Sequence, residues 1–329
     1  QVLDVALANY LDYNEEGNIS ELPSATVAVC TRNRAEDLAR CLESISKLDD
    51  CGHEVLVIDN CPRDDSSYQV VSRFPGFRYI REDTPGLDVA RNRALKVARN
   101  EIVAFIDDDA IPDPAWLKSL LPNFAHPMVM CVTGMTMPLE LETQAQVDFE
   151  RYSPFCKGFL RRRWNAENCN PVATGQVGAG ANMAIRKSIV DEIGGFDEAL
   201  DAGTATQSGG DHEMFSRILT RGYEIVYEPK ALNWHRHRRT REELKKAVYG
   251  YGSGVYAHWV RTFAVEKEYS VLKLPVYWLL RSQLPKLARS VFKRPNSLPA
   301  DLLLAELKGC FHGVSNYYKA RKKEKTNER

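Results

Sequence analysis

Between residues 24 and 110 the chain alternates short apolar runs with stretches whose apolar residues recur at the spacing of a helix. The apolar runs are TVAVCT (26–31), EVLVID (54–59), FRYI (77–80) and IVAFID (102–107). Strands that are apolar along their whole length belong to parallel sheets that helices cover on both faces. The alternation therefore predicts an α/β fold in which a mainly parallel, Rossmann-like sheet is flanked by helices.

The rest of the chain is less regular, and residues 140–177 show no clear periodic pattern. The expected elements are strands over 128–138 and 180–187, a helix from Asp211 to about Arg221, a strand pair formed by 223–229 and 231–236, and helices from Arg241 on with interruptions at Pro285, Pro295 and Pro299. These patterns predict an N-terminal extension (1–23), a main domain (24–239) and a helical C-terminal region (240–329).

Charge is unevenly distributed along a chain whose formal net charge is zero. Residues 281–329 contain twelve Lys or Arg and four Asp or Glu, whereas the preceding 280 residues contain 32 and 40. A basic region that mixes cations with leucines and valines, as residues 271–293 do, suits a helix lying on anionic lipid and equally a helix packed on the main domain. The aromatic residues are not spaced as a stacking platform, so we expect no nucleic-acid partner.

The eight cysteines include no C-x-x-C pair, and Cys30 lies within an apolar run. This usage indicates free thiols in a reducing compartment and disfavours both a disulfide framework and a zinc site. No stretch approaches the ~20 apolar residues that a membrane-spanning helix requires. We therefore expect a cytoplasmic protein, with association at the cytoplasmic face of a membrane as the variant that the basic region allows.

Three consecutive aspartates, Asp107 to Asp109, follow the last apolar run in the segment FIDDDAIPDPAWL (105–117). In an open α/β sheet, ligands bind beyond the carboxyl ends of the strands, where Thr31 and Asp59 end two other runs. Adjacent carboxylates repel one another unless a cation or buried donors hold them, and their hard oxygens suit Mg²⁺ or Mn²⁺. A solvated turn capped by Asp113 is the alternative, but it accounts for Asp113 alone.

Two other carboxylate chemistries can be excluded from the sequence. A Walker B aspartate requires a P-loop, and no G-x-x-x-x-G-K-[ST] motif occurs in the chain. A calcium-binding EF-hand loop requires glycine at its sixth position, where Pro112 stands.

The run from Thr26 to His235 resembles an inverting family 2 glycosyltransferase of the GT-A fold. The resemblance rests on seven motifs in the family's order: VAVCTRNR (27–34), VIDN (57–60), TPGLDVARNRAL (84–95), FIDDDAIPDPAWL (105–117), GAGANMAIRKSIVDEIGGFDEAL (178–200), GGDHEMFSRILTRGYEIVYEP (209–229) and WH (234–235). It implies a GT-A catalytic domain over 24–239, with a nucleotide-sugar donor half (24–110) and an acceptor half (111–239), followed by the helical basic extension.

The resemblance also implies roles for individual residues. The donor-binding set is Thr31, Arg32, Arg34, Asp59, Arg91, Asp107 and Asp108. Thr31 and Asp59 would hold base and ribose, Arg91 would face the same pocket, and Arg32 and Arg34 would reach phosphate. The alternative for Arg91 is a solvated helix face. Asp109, Asp107 and His235 are the expected ligands of Mn²⁺ or Mg²⁺, a Lewis acid for the departing nucleoside diphosphate.

Asp211 stands where the family has its catalytic base, which takes the acceptor's proton on the face opposite the leaving group. The alternative is a plain helix cap. The residue before the base is usually Glu in the family, whereas this chain has Gly210. Asn182 and Glu213 are the expected contacts to sugar or acceptor.

The expected function is therefore metal-dependent, inverting transfer of a hexosyl or N-acetylhexosaminyl group from a nucleotide sugar, with UDP as the expected nucleotide. The acceptor is an unidentified glycan, lipid-linked molecule or small molecule of polysaccharide or glycoconjugate biosynthesis. Nucleotidyl transfer on a similar core is a second hypothesis, which lacks the glycine-rich loop after the first strand. A nucleotide-sugar binding protein without turnover is the third, suggested only by Gly210.

Overall fold

The computed structural model describes residues 22–295 and 297–327, with side chains described through Lys322. The expected N-terminal extension (1–23) therefore lies almost wholly outside the described residues. Within them, nine strands form one mixed sheet in the order β3-β2-β1-β4-β8-β6-β9-β5, and β7 pairs with β9. The strands are β1 Ala25–Thr31, β2 Glu54–Asn60, β3 Arg78–Glu82, β4 Ile102–Asp107, β5 Ala110–Pro112, β6 Val129–Pro138, β7 Arg162–Trp164, β8 Asn182–Arg186 and β9 Glu224–His235.

Helices cover both faces of this sheet and continue beyond it. The α-helices are α1 Ala35–Ile45, α2 Ser66–Val71, α3 Leu87–Val97, α4 Trp116–Leu120, α5 Gln144–Tyr152, α6 Ile189–Ile193, α7 Gly210–Thr220, α8 Arg241–Arg261, α9 Leu274–Trp278, α10 Leu284–Val291 and α11 Ala300–Asn327. The predicted fold class is confirmed, since β3, β2, β1 and β4 are neighbouring parallel strands, as the alternating pattern predicts.

Two apolar clusters lie on opposite faces of the sheet. On β1, Val27 and Val29 contact the cluster that contains Leu38 of α1, whereas Ala28 belongs to the cluster that contains Ala90 of α3. Successive side chains of a strand point to opposite faces, so a strand that is buried on both must be apolar at every position. The three-layer arrangement thus follows directly from the continuous apolar runs.

The second part of the main sheet departs from the sequence expectations at β9. Residues 223–229 and 231–236 are not a strand pair, because Glu224–His235 forms one twelve-residue strand that runs parallel to β6. The register shifts between Gly134 and Met135, which pair with Glu228 and Leu232, and the extra residues of β9 lie in this bulge. The bulge contains Pro229, which cannot donate to a ladder and is therefore tolerated at such an irregularity.

Residues 140–177 contain a helix that has no clear signal in the apolar pattern. Helix α5 begins with a reciprocal cap, in which the Thr143 side chain accepts from the backbone of Gln146 and the Gln146 side chain accepts from the backbone of Thr143. Because α5 packs on α8 and α11 in a small separate cluster, its burial comes from partners about 100 or more residues away.

The C-terminal region is built around the contact between α8 and α11. A Cβ atom on Gly252 would lie 2.3 Å from the backbone oxygen of Glu306, and one on Gly309 would lie 2.0 Å from that of Tyr249. Glycine at both positions therefore lets the two helix backbones approach each other directly. No helix in the described part of the chain is both long enough and apolar enough to cross a membrane.

Candidate active site

Most of the predicted site residues gather around one cavity of about 730 Å³. The aspartates Asp107 to Asp109, from the end of β4, line it together with His235, the last residue of β9. Asp211, at the start of α7, lines the same cavity. The carboxyl ends of β1, β2 and β4 meet here because the three strands are parallel and adjacent, which is the convergence that the sequence pattern predicts.

The aspartate cluster is held by donors from the loop after β1. The Thr31 hydroxyl donates to Asp108 over 2.7 Å. Arg34 donates from Nη1 to Asp108 and from Nη2 to Asp109, each over 2.7 Å. Burial raises the pKa of Asp108 to about 7, even though the Arg34 guanidinium opposes that rise. Thr31 and Arg34 therefore hold two of the three adjacent carboxyl groups, those of Asp108 and Asp109, in addition to their expected contacts with the sugar donor.

Asp107, Asp109 and His235 form a group whose ligand atoms all lie within 4.8 Å of one another. His235 Nε2 lies 3.0 Å from Asp109 Oδ1 and 3.6 Å from Asp107 Oδ2. Burial alone would lower the pKa of His235, yet the Asp109 and Asp107 carboxylates raise it to about 10. The two carboxylates thus strongly favour positive charge at this place.

These residues fit a divalent cation. Asp109 Oδ1 is buried and has no hydrogen bond of acceptable geometry, although its neighbour Oδ2 is held by Arg34. Two carboxylates and one imidazole are a donor set that Mn²⁺ and Mg²⁺ accept. The buried Asp109 Oδ1, which faces His235 Nε2 across 3.0 Å, is therefore suited to act with it as a ligand atom.

Asp211 is held by two backbone donors at the N-terminal end of α7. Its Oδ2 accepts from Gly180 N over 2.7 Å and its Oδ1 accepts from His212 N over 2.8 Å. Although burial acts to raise it, His212, Arg91 and these backbone donors hold the pKa of Asp211 below its ordinary value. The N-cap of α7 is Gly209, with a left-handed φ of 107°. Asp211 is thus an ionised carboxylate facing the cavity and does not occupy the cap position.

Gly210 has a steric reason that the sequence does not reveal. A Cβ atom on residue 210 would lie 1.8 Å from Asp88 Oδ2. Asp88, in the first turn of α3, is completely buried, and burial raises its pKa well above the ordinary value. The Asp88 carboxyl group therefore fills the space next to the base that a side chain at 210 would need.

Arg91 is not on a solvated helix face. It is 4% exposed, lines the cavity, and donates from Nη1 to Asp88 over 2.9 Å and to Asp201 over 2.8 Å. A Cβ atom on Gly180 would lie 2.7 Å from Arg91 Nη2 and 3.0 Å from Asp211 Cβ. Arg91 therefore presents its second amino group beside the candidate base, in a position that Gly180 leaves open.

The expected contacts of Asn182 and Glu213 to sugar or acceptor require correction, because both residues are fully buried and neither lines the cavity. The Asn182 side chain accepts from Trp116 Nε1 over 2.8 Å and donates to the backbone oxygens of Met135 and Ala231. Its amide thus ties β8 to the surrounding elements, and its burial keeps it out of reach of a sugar in the cavity.

Glu213 points away from the cavity. It accepts from Arg217 over 2.6 and 2.7 Å and lies 2.8 Å from Arg261 Nη1. Two arginines at this distance compensate a buried carboxylate that would otherwise be costly. The ion pair of Glu213 with Arg261 joins α7 to α8. Glu213 therefore has a structural role in place of the expected contact to the acceptor.

The remaining donor-binding candidates lie at the end of β2 and after β1. Arg32 lines the cavity, whereas Asp59 is fully buried behind the lining and accepts from the Tyr79 hydroxyl over 2.9 Å. The next residue, Asn60, lines the cavity and accepts from Gly86 N over 2.9 Å. The predicted strand end is thus at the cavity, with Asn60 as the residue that reaches it.

Several lining residues have no signal in the sequence pattern. They are Asp201, Lys157, His258 and the aromatic side chains Phe149, Tyr152, Phe155, Tyr251, Trp259 and Trp278. They come from α5, the loops around it and the C-terminal region, which meet only in the tertiary structure. Asp88 lies within the motif TPGLDVARNRAL, where its acidic side chain among apolar residues is the available signal.

Comparison with known proteins agrees with this geometry. The model of the family described as Glycosyl transferase family 2 matches residues 26–194, which is just over half of the chain. The chain belongs to glycosyl transferase family 2. The family predicted from the seven motifs is therefore confirmed.

Two curated relatives are between a quarter and three tenths identical to this chain over the residues that align. The Pre-mycofactocin glycosyltransferase of Mycobacterium tuberculosis is 29% identical over 231 residues, which are 68% of this chain and 46% of that protein. Glycosyltransferase AglE of Haloferax volcanii is 26% identical over 276 residues, 81% of this chain and 83% of that protein. The chain thus spans about half the length of the first relative and most of the second.

Solved structures of glycosyltransferases share the fold. The mannosyltransferase PcManGT from Pyrobaculum calidifontis, solved with GDP-Man and Mn²⁺, superposes with a TM-score of 0.61 at 17% identity and covers 95% of both chains. GalNAc-T7, solved with UDP, GalNAc and Mn²⁺, gives 0.52 at 14% identity and covers 79% of this chain and 57% of that one. These matches confirm the predicted fold, including the helical C-terminal region.

Proposed function

We propose that this protein is a metal-dependent, inverting glycosyltransferase that moves a sugar from a nucleotide sugar to an acceptor oxygen. The observation that carries the proposal is the shared cavity, which places the cluster Asp107, Asp109 and His235 together with the ionised Asp211. A site of this kind offers one group of metal ligands for the departing nucleoside diphosphate and one carboxylate for the incoming acceptor. The GDP-Man and Mn²⁺ of PcManGT and the UDP and Mn²⁺ of GalNAc-T7 support the same reading for this chain.

In the proposed complex Asp107, Asp109 and His235 would hold Mn²⁺ or Mg²⁺. When bound, the cation supplies Lewis-acid stabilisation of the negative charge that develops on the diphosphate. Thr31, Arg32 and Asp108, with Asn60 in place of the buried Asp59, are the proposed contacts to base, ribose and phosphate, since all four line the cavity. Arg34, which is held against Asp108 and Asp109, adds fixed positive charge beside the proposed metal ligands and so favours the departing diphosphate further.

The proposed role of Asp211 is general base. The acceptor O–H loses its proton to the Asp211 carboxylate while its oxygen bonds to the sugar C1. The C1–O bond to the diphosphate breaks and its electron pair leaves with the nucleoside diphosphate, so the anomeric configuration inverts. Gly180 N and His212 N hold both carboxylate oxygens, which fixes the direction from which the base approaches.

A nucleotide panel tests this proposal. UDP, GDP, dTDP and CDP are compared by thermal shift with Mn²⁺, with Mg²⁺ and with chelator. One nucleotide, UDP by expectation, should raise Tm only when the metal is present, because a ligand that binds the folded state stabilises it by mass action. No metal-dependent shift with any of the four would contradict the proposal.

Asp211→Asn separates turnover from binding. The amide keeps the shape of the carboxylate but cannot take a proton, so transfer should fall by about 100-fold or more while the metal-dependent nucleotide shift stays. Retained transfer would remove Asp211 from the role of base. If the unmodified protein shows the nucleotide shift but no sugar transfer, a binding protein without turnover is favoured. If it releases inorganic pyrophosphate from a nucleoside triphosphate, nucleotidyl transfer is favoured.

We also propose a cytoplasmic location with peripheral membrane contact through the C-terminal region. All eight cysteines are free, which supports a reducing compartment. The basic charge of residues 281–329 supports contact with anionic lipid.

A further inference from the structure

Residues 262–294, called here the basic apolar surface, form a series of short helical segments on the outside of the molecule. A π-helical turn (Thr262–Glu266) and a 3₁₀ turn (Tyr269–Lys273) lead into α9, and a second π-helical turn (Leu279–Gln283) leads into α10. Neither α9 nor α10 has a buried side chain. Large apolar side chains that are more than half exposed are Tyr269, Leu272, Val276, Tyr277, Leu280, Val291 and Phe292. This concentration on consecutive segments indicates an interaction surface, since single exposed apolar residues are the normal case.

From Tyr269 to Arg294, which is most of the basic apolar surface, the charge is of one sign, whereas the stretch before it contains Glu266 and Glu268. Between Tyr269 and Arg294 there is no Asp or Glu, and the cations are Lys273, Arg281, Lys286, Arg289, Lys293 and Arg294. Five of the six are exposed and Lys286 is half-buried. Within the described part of the chain none of them forms a salt bridge, whereas most arginines around the cavity do. Unpaired cations among exposed aromatic and aliphatic side chains match the surface of an anionic bilayer.

The basic apolar surface borders the cavity. Leu274, Tyr277 and Trp278 of α9 line the cavity that contains Asp211, and so does Lys286 of α10. Tyr277 is also among the most exposed residues of the surface. Trp278 lies edge-on to Trp259 of α8, with ring centroids 5.8 Å apart, and Trp259 lines the cavity as well. Apolar side chains therefore continue from the outer surface to the interior of the cavity.

We propose that the basic apolar surface docks on an anionic lipid bilayer and that a lipid-linked acceptor enters the cavity at this end. The second half of the proposal rests on the proposed function, because it names the acceptor class of that site. The apolar tail of such an acceptor lies against the surface and the bilayer, while its head group reaches Asp211. Charge complementarity selects the bilayer over a second copy of this chain, because two copies of a surface with six unpaired cations repel each other.

Vesicle co-sedimentation tests the bilayer contact. The protein should bind vesicles of phosphatidylcholine mixed with phosphatidylglycerol, bind pure phosphatidylcholine far less, and be released by salt. Each cation near an anionic surface strengthens vesicle binding by about fivefold. The triple variant Arg281→Gln/Arg289→Gln/Lys293→Gln, which removes three cations, should therefore bind vesicles about 100-fold more weakly. The matched control Arg63→Gln/Arg73→Gln/Lys118→Gln removes the same charge elsewhere and should retain most of the binding. Equal losses in the two triple variants, or no binding by the unmodified protein, would overturn the docking.

Brominated lipids test where the protein touches the bilayer. Quenching of tryptophan fluorescence by vesicles with brominated acyl chains should be strong, and Trp278→Phe should remove most of the quenched signal. Leu272→Ser/Val276→Ser/Leu280→Ser should reduce vesicle binding, whereas Met128→Ser/Leu141→Ser, a pair of exposed apolar residues elsewhere, should not. Sedimentation velocity gives the competing outcome, because a dimer that the triple serine variant dissociates would make a second copy the occupant.

The acceptor class is tested with a labelled donor. Once the nucleotide panel has identified the nucleotide, transfer from a radiolabelled sugar donor is measured with lipid vesicles from the host cells. Label should enter the organic phase, and label found only in water-soluble product would overturn the acceptor class. The metal-dependent nucleotide shift is measured on the same triple variants. If the triple variants keep the nucleotide shift but lose vesicle binding, the docking surface is supported and the proposed function is unaffected. If the unmodified protein shows no nucleotide shift, the proposed function is contradicted and the docking is unaffected.

Discussion

At the scale of single residues, Gly210 and Asp88 are coupled sterically. Because Asp88 occupies the space that a side chain at 210 would fill, Gly210→Ala should destabilise the protein by about 1–3 kcal/mol, the usual cost of overpacking. Asp88→Ala/Gly210→Ala relieves the collision. We expect the double variant to lose less free energy of unfolding than the two single variants lose together, as measured by chemical unfolding. Simple additivity would show that the two side-chain positions do not compete.

His235 gives a second prediction at this scale. His235→Gln removes the imidazole from the ligand group, so more Mn²⁺ should be needed to produce the nucleotide-dependent thermal shift. We expect an increase of at least about tenfold, the lower end of what the loss of an outer-shell partner causes. His237→Gln is the matched control, since His237 lines the same cavity but bonds to Glu150 over 2.7 Å. An equal Mn²⁺ requirement in both variants would exclude His235 as a ligand.

At the scale of elements, the fit of α11 against α8 determines how the C-terminal region is held. A Cβ atom on Gly309 would collide with the backbone oxygen of Tyr249, which cannot rotate away. Gly309→Ala should therefore cost about 1–3 kcal/mol in the free energy of unfolding, although alanine favours a helix by about 1 kcal/mol relative to glycine. Ser315→Ala on the exposed side of α11 should change it by less than about 0.5 kcal/mol. A stabilising Gly309→Ala would contradict the close approach of the two helices.

The elements also show how far the sequence pattern reaches. The donor half was predictable because each of its strands is apolar on both faces, a pattern that survives without knowledge of its partners. Strand β9 was divided into two in the prediction because Pro229 reads as a break, and only pairing with β6 carries the strand past it. Helix α5 was missed because its apolar residues are few and its partners are α8 and α11, far away along the chain.

At the scale of the whole molecule, His258 links stability to pH. It is buried where α8 meets the cavity, and burial lowers its pKa to about 3 from an ordinary value of 6.5. The unfolded chain therefore binds a proton between these two pH values that the folded chain does not, so stability falls as pH decreases through this range. From pH 7 to pH 5 this group should remove about 2 kcal/mol.

His258→Gln isolates that contribution. The loss of unfolding free energy between pH 7 and pH 5, measured in urea, should be smaller in the variant by about the same 2 kcal/mol. The comparison between variant and unmodified protein cancels the other groups that titrate in this range. Equal losses would show that the pKa of His258 is the same in the folded and the unfolded protein.

The sequence by itself determined the parallel donor half, the family and the residues at the strand ends, Thr31, Asp107 to Asp109 and His235. These follow from local chemistry, since a strand's apolar pattern and the polar residues that end it are written consecutively in the chain. Only the tertiary structure decided that Asn182 and Glu213 are core groups, that Asp88 explains Gly210, and that α9 and α10 border the cavity. The physical reason is that burial and hydrogen-bond partners belong to pairs of residues distant in sequence, and no local pattern specifies which pairs will meet.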